Sequence, residues 1–363
     1  MEDVIIITNP MIAANESAKV TLSKFLRVIE PCCRNLQVLG GNLRREGDLK
    51  QVQLVSVPIK RSPNKMKRLF DLVWLQLKMS ELVMQHVQEG MQVFFWIGDK
   101  MLLPYFCVKY KKAEINYFIY GNPQKEGKKG FFSKISAFLI RIMAENADYI
   151  CMESPSVEHE WKGLRIDRKR IIHLYTEVMP MTPIVERKRV IGMVCRLTAG
   201  KHVLESIQAF SEIHKDFPDW RLEIVGSGVQ ETECRNLIRK LNLDGSVVLY
   251  GWIDHAQLRS VTKRWKFLLF PSDTEGMPNG VIEMMAQGIP PIASPVGGIC
   301  DVVEVNKTGW VIDTCSVHGI QSALEQALRS ECYESVSEEA QRVIALKYVL
   351  EAAQIDAKIQ MLR

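Results

Sequence analysis

Two glutamates eight positions apart, Glu275 and Glu283, flank a run of Gly, Pro and Asn in the stretch SDTEGMPNGVIEMMAQGIPPIASPVGGICD, residues 272–301. On one continuous helix that spacing would separate them by about 12 Å of rise and aim them at different faces. They therefore do not read as a paired acid and base on one helix. Gly276 and Met277 instead turn the chain after the apolar strand KFLLF. Pro278 or Asn279 then opens a helix that holds Glu283 and stops near Gly288. Backbone N–H groups from Gly276 to Gly280 would face a ligand there, and the helix dipole favours an anion. Glu275 would accept hydroxyls of that ligand, and Glu283 a vicinal pair such as those of a ribose. The plainer alternative is a capped helix with two solvated carboxylates.

A second stretch, MVCRLTAGKHVLESIQAF, puts Arg196 at the end of a strand and Lys201 at the start of the next helix. Cations at a helix start oppose the dipole, so a bound phosphate or diphosphate explains them better than a surface pair does. VGSGVQE, with Gly226, is a weak Gly-rich turn that lacks the third glycine of the dinucleotide fingerprint, which argues against a nicotinamide or flavin. YGWID brings Gly251 and Trp252 to a strand end, either to read the edge of a base or as a turn with a core Trp.

These residues need a scaffold that gathers strand ends. Short β-branched runs alternate with amphipathic segments along the chain, which implies parallel sheets covered on both faces. DVIIIT, LQVLG, VQLVSVPI, QVFFWIG, INYFIYG, DYICME and RIIHLY read as strands in the first half. RVIGMVC, RLEIVG, SVVLYG, KFLLFP, PPIASP and GWVID follow in the second. Pro180 and Pro183 break both periodicities, so one domain spans residues 1–182 and a second 183–345. The stretch from Ser337 to Arg363 reads as a single long helix, with residues 346–363 as a closing segment. Polar residues then collect at the carboxyl edges of two sheets, where open α/β folds bind ligands. Two such edges facing each other form a cleft.

Taken together, the second half resembles the retaining glycosyltransferases of family 4. The resemblance rests on GMVCRL with Lys201, EIVGSG, LYGWI, PSDTEGMPNGVIEMMAQGIPPIASPVGGICDVV and KTGW. It implies the GT-B fold: two Rossmann-like, doubly wound domains across a cleft, with the last helix crossing back to the first domain. It also implies that Arg196 and Lys201 hold the diphosphate of a nucleotide sugar and that Glu283 holds the ribose. Glu275, Gly276 and Met277 would hold the donor sugar, with Gly226, Gly251, Trp252, Pro278 and Asn279 completing the donor site. Catalysis would be electrostatic, through Arg196, Lys201 and Glu275, with no metal and no cofactor. Relatives often carry a Gly-rich loop after the first strand and a histidine at a later strand end. Here NPMIAANESAKV has no Gly pair and FIYGNPQKEG no histidine. That leaves acceptor chemistry open, with Asn9, Asp99 and Asn122 as the polar acceptor-side candidates.

Composition bounds the partners. The 363 residues are 47% hydrophobic with a net charge of +5. Residues 1–185 hold 27 Lys and Arg against 19 Asp and Glu, a net +8, and the remainder is −3. An anionic surface is the natural partner of such a first half. Two segments match it: SPNKMKRLFDLVWLQLKM, with Met66, Leu69, Phe70, Val73, Trp74 and Leu77 on one face, and GKKGFFSKISAFLIRIM. Each is either a basic amphipathic helix for anionic lipid or a core helix with solvated lysines. Nucleic acid is not expected, because the cations are not interleaved with a recognised module. Nine scattered cysteines without a C-x-x-C pair read as reduced thiols, and MEDVIIITNP reads as a strand rather than a signal peptide. The expectation is a cytoplasmic hexosyltransferase, peripheral on the inner face of the membrane, that uses a UDP- or GDP-sugar and a glycan or lipid-linked acceptor. The rivals are an epimerase or phosphorylase of the same fold, or a nucleotide-sugar-binding protein without transfer.

Overall fold

The computed structural model describes residues 2–10, 16–44, 49, 52–59, 65–98, 101–122, 131–177 and 187–362. Asp99 and the expected boundary at 182/183 lie outside them.

The first lobe is a seven-stranded parallel sheet of β1 (Glu2–Thr8), β2 (Cys33–Gly41), β3 (Val52–Val57), β4 (Gln92–Trp96), β5 (Glu114–Phe118), β6 (Tyr149–Met152) and β7 (Lys169–Ile171). Its spatial order is β3-β2-β1-β4-β5-β6-β7. Helices α1 (Glu16–Ile29), α2 (Lys65–His86), α3 (Leu102–Tyr110) and α4 (Phe131–Glu145) fill the crossovers. The second lobe has β8 (Val190–Val194), β9 (Arg221–Val225), β10 (Val247–Gly251), β11 (Phe267–Phe270), β12 (Pro291–Ala293) and β13 (Trp310–Val311), ordered β10-β9-β8-β11-β12-β13. Its helices are α5 (Val203–Ile213), α6 (Glu231–Lys240), α7 (His255–Thr262), α8 (Asn279–Ala286) and α9 (Val317–Leu328), followed by α10 (Tyr333–Lys347) and α11 (Leu350–Met361).

Both sheets are buried on two faces, which is why the strands read as continuous apolar runs. Alternation along β1 divides the first core. Val4 and Ile6 pack with Phe25 of α1 and with Ala353 and Ala357 of α11. Ile5 and Ile7 pack with Met79 of α2, Tyr105 of α3 and Met143 of α4. In the second lobe, Val203, Ile207, Phe210 and Ile213 of α5 are buried against β8 and β9, the face their helical spacing predicts. Gly192 in β8 leaves room for the Trp265 ring, whose indole N–H donates to Glu223 at 2.7 Å.

The expected single helix from Ser337 onward is two. Tyr348 ends α10 and Val349 is extended before α11 begins. The break has a tertiary cause: the Tyr348 carbonyl accepts the Thr176 N–H at 2.8 Å, where the chain leaves the first lobe. The Tyr348 ring is buried there against His173. The chain then returns, and α11 seats Ala353, Ala357 and Met361 in the first core.

Candidate functional site

Each sheet reverses its winding once, between β1 and β4 in the first lobe and between β8 and β11 in the second. Loops leaving two strands in opposite directions open a crevice at such a point. In the second lobe the two loops are those of Arg196–Lys201 and Ser272–Glu275, and the Asp273 N–H donates to the Gly200 carbonyl at 3.1 Å. A single turn of 3-10 helix, Ala199–Lys201, carries the lysine, and His202 in left-handed conformation (φ 46°) redirects the chain into α5. The Lys201 ammonium donates to Ser272 Oγ at 3.0 Å and makes a close ion pair with Glu275, both side chains being 14% exposed. Arg196 is exposed at the end of β8. His202 Nε2 meets Asp273 at 2.7 Å. Cys315, Glu205 and Asp273 push its pKa up to about 11, so it stays charged and pins the loop.

The loop from Glu275 to Pro278 passes into α8, whose N-cap is Pro278 and whose end is marked by Gly288 at φ 72°. Start and stop agree with the turn chemistry of the sequence. Behind the loop, the Gly298 N–H donates to the Gly276 carbonyl at 2.6 Å. Gly297 has φ 51°, and a Cβ there would strike the Glu275 carbonyl. Gly226 ends β9 at φ 136° with no space for a side chain beside Cys195, and its N–H donates to the Gly251 carbonyl at 2.8 Å. Gly251 and Trp252 therefore lie at the same edge but two strands from β8. Trp252 is 70% exposed, which removes the reading of it as a core residue.

The first lobe closes on this loop with groups the sequence did not single out. Lys24 of α1, 3% exposed, places its ammonium 3.5 Å from Glu283 and 3.5 Å from the Asn279 side-chain oxygen. Glu160 accepts from Thr274 Oγ1 and from the Gly297 N–H, both at 3.2 Å. Glu153, at the end of β6 and 5% exposed, accepts the Met277 N–H at 3.4 Å. Burial pushes its pKa up to about 7 against the pull of that N–H and of Lys24. Gly121 lets the lobes meet, since a Cβ there would collide with Thr274. Asp301 bonds the hydroxyls of Ser154 and Ser156 across the same seam.

Of the acceptor-side candidates, Asn9 and Asn122 are among the described residues. Asn9 follows β1 and donates its N–H to the Ile97 carbonyl at 3.4 Å. Asn122 gives its side-chain amide to the Glu160 carbonyl at 3.2 Å, the bond of a loop brace.

Two parallel α/β lobes that meet at a polar seam define the GT-B architecture. A structure of Anabaena HepE in complex with UDP and glucose superposes with a TM-score of 0.77 over 100% of both chains at 14% identity, a likeness of fold. Residues 176–345 match the family described as glycosyl transferases group 1. Curated relatives include an exopolysaccharide phosphotransferase of Streptomyces coelicolor, 32% identical over 39% of this chain and 15% of that protein. Another is the N-acetyl-alpha-D-glucosaminyl L-malate synthase of Bacillus anthracis, 26% identical over 53% of each. The matched region thus spans about half or less of these relatives' length.

Proposed function

We propose that the protein is a retaining glycosyltransferase of the family-4 kind, moving a hexosyl unit from a UDP- or GDP-sugar to a glycan or lipid-linked acceptor. The observation that carries this reading is the Lys201–Glu275 pair beside Arg196 at the β8/β11 switch point. Lys201 and Glu275 satisfy one another's charge. A donor would exchange partners: its diphosphate takes Lys201 and Arg196, and sugar hydroxyls take Glu275. Glu283 takes the ribose, with Lys24 above it. As the glycosidic bond to the diphosphate breaks, negative charge grows on the leaving oxygen, and fixed cations stabilise that state more than the ground state. Glu275 faces the positive charge developing on the sugar.

A screen of nucleoside diphosphates and their sugars by thermal shift tests the reading, because a ligand of the folded state raises its melting temperature. UDP or GDP should raise it, and Arg196→Ala and Lys201→Ala should each abolish the rise. Variants that respond like the parent would refute the site. Slow release of nucleoside diphosphate from the donor, and an acceptor product of unchanged anomeric configuration, test transfer and retention. Donor binding with neither hydrolysis nor transfer would make it a binding protein instead.

For the acceptor we propose an anionic membrane surface on the cytoplasmic side, bearing a lipid-linked substrate. The support is an exposed apolar face. Phe70, Val73, Trp74 and Leu77 form one stripe on α2, Leu103, Phe106 and Tyr110 another on α3, and Phe138 stands out on α4. Exposed Lys67, Lys109, Lys112 and Lys134 accompany them. Of the other residues of the two basic segments, the side chains of Lys65, Met66, Arg68, Leu69, Phe131 and Phe132 lie outside the described set, as do Lys128 and Lys129. Among the described residues no helix is long and apolar enough to cross a membrane, so contact would be interfacial.

A further inference from the structure

We infer that Glu153 completes the sugar subsite from the first lobe and makes it select neutral hexoses, with hydroxyls to donate, over uronates. The inference deepens the proposed function and rests on it. A carboxylate 5% exposed ordinarily holds several hydrogen bonds. Among the described residues, the Glu153 carboxylate makes one, the long contact to the Met277 N–H at 3.4 Å. It is thus buried and under-satisfied, and the fold retains it at the point where the two lobes meet.

Its position says what would satisfy it. A Cβ built on Gly276 would lie 3.5 Å from Glu153 Oε2 and 3.5 Å from the Tyr120 ring, so the carboxyl stands directly over the glycine of the loop assigned to the donor sugar. The Tyr120 hydroxyl is also buried without a partner among the described residues. Among the described residues, no donor other than the Met277 N–H meets the Glu153 carboxylate. A hydroxyl of the transferred sugar can accept the Met277 N–H that Glu153 now holds and donate its own proton to the carboxylate. A sugar carboxylate can only accept, so above pH 7, where Glu153 is ionised, it would meet Glu153 charge to charge. Burial favours the neutral form of Glu153, and the exchange of one weak N–H for one or more sugar hydroxyls restores its ionised form as an acceptor.

Calorimetry at pH 8 with UDP, UDP-glucose, UDP-galactose and UDP-glucuronate, or the GDP series if GDP is the base that binds, tests this on the wild type, Glu153→Gln and Glu153→Ala. Glu153→Gln keeps the shape of the side chain, and matching circular dichroism melts verify its fold. UDP should bind all three proteins within about twofold, because the nucleotide contacts lie elsewhere. The hexose should add affinity in the wild type, and Glu153→Ala should cut that gain about tenfold, the worth of a hydrogen bond to a charged group. The uronate, weakest on the wild type, should gain at least tenfold on Glu153→Gln. A wild type and two variants with the same hexose-to-uronate ratio would overturn the inference while leaving the donor site intact. Failure of both UDP and GDP to bind the wild type would instead overturn the proposed function, and this inference with it.

Discussion

Replacing Glu153 with Gln should stabilise the protein in alkaline solution and leave it nearly unchanged in acid. In the fold burial pushes the pKa of this carboxyl up to about 7, from an ordinary glutamate value near 4.5. Between those values the folded state holds a proton that the unfolded chain has released, so stability falls as pH rises. At 1.36 kcal/mol per pH step, the loss reaches about 3 kcal/mol and is complete above pH 7. Gln cannot ionise and escapes it. The groups facing Glu153 do not reverse the sign. Lys24 lowers its pKa and is already counted, while Tyr120 and Tyr348 are raised by burial and stay neutral. Burial lowers the pKa of His173, which bonds the Glu153 carbonyl, and its titration is common to both proteins and cancels. With roughly 2–4 °C per kcal/mol for a lobe-sized cooperative unit, Glu153→Gln should melt about 6–12 °C above the wild type at pH 8.5. At pH 4.5 the two should melt together. A gap of equal size at both pH values, or a wild type more stable at pH 8.5, would refute the buried-carboxylate argument.

Asp301→Ala strips both Ser154 and Ser156 of their acceptor at the seam. It should cost about 2–3 kcal/mol, read as a lower urea midpoint. Trp74→Ser with Phe106→Ser removes two half-exposed anchors from α2 and α3. Co-sedimentation with phosphatidylglycerol vesicles should fall more than tenfold, since each buried aromatic contributes about 1.5–3 kcal/mol. The melting temperature should hold. Wild-type protein that stays in the supernatant at low salt would end the membrane reading.

The strands were legible because parallel sheets bury both faces, and runs such as QVFFW and FLLF carry no competing period. The turn into α8 was legible because Pro278 and Gly288 act through the local backbone. The first lobe's share of the site was not. Glu153 and Glu160 meet the 274–297 segment across more than a hundred residues, and in DYICME a final glutamate looks like any strand end. Lys24 sits among Leu22, Phe25 and Leu26, where the approach of Glu283 and Asn279 from the other lobe accounts for a buried cation. On α2 both sides are apolar: Leu75, Met79 and Val83 are buried while Phe70, Val73 and Leu77 are exposed. Periodicity marks a face there but cannot say which one meets the sheet. The stop at Tyr348 depends on a hydrogen bond from Thr176, which no local signal announces.

That bond also governs how the molecule can move. The backbone passes between the lobes near Thr176 and again near Tyr348, and the two passages are clasped to each other at 2.8 Å. Paired tethers at one place act as a door hinge and suppress sliding or twisting of one half against the other. Displacement then grows with distance from the clasp, so the small links bridging the gap, Lys24 to Glu283 among them, serve as catches on a swinging leaf.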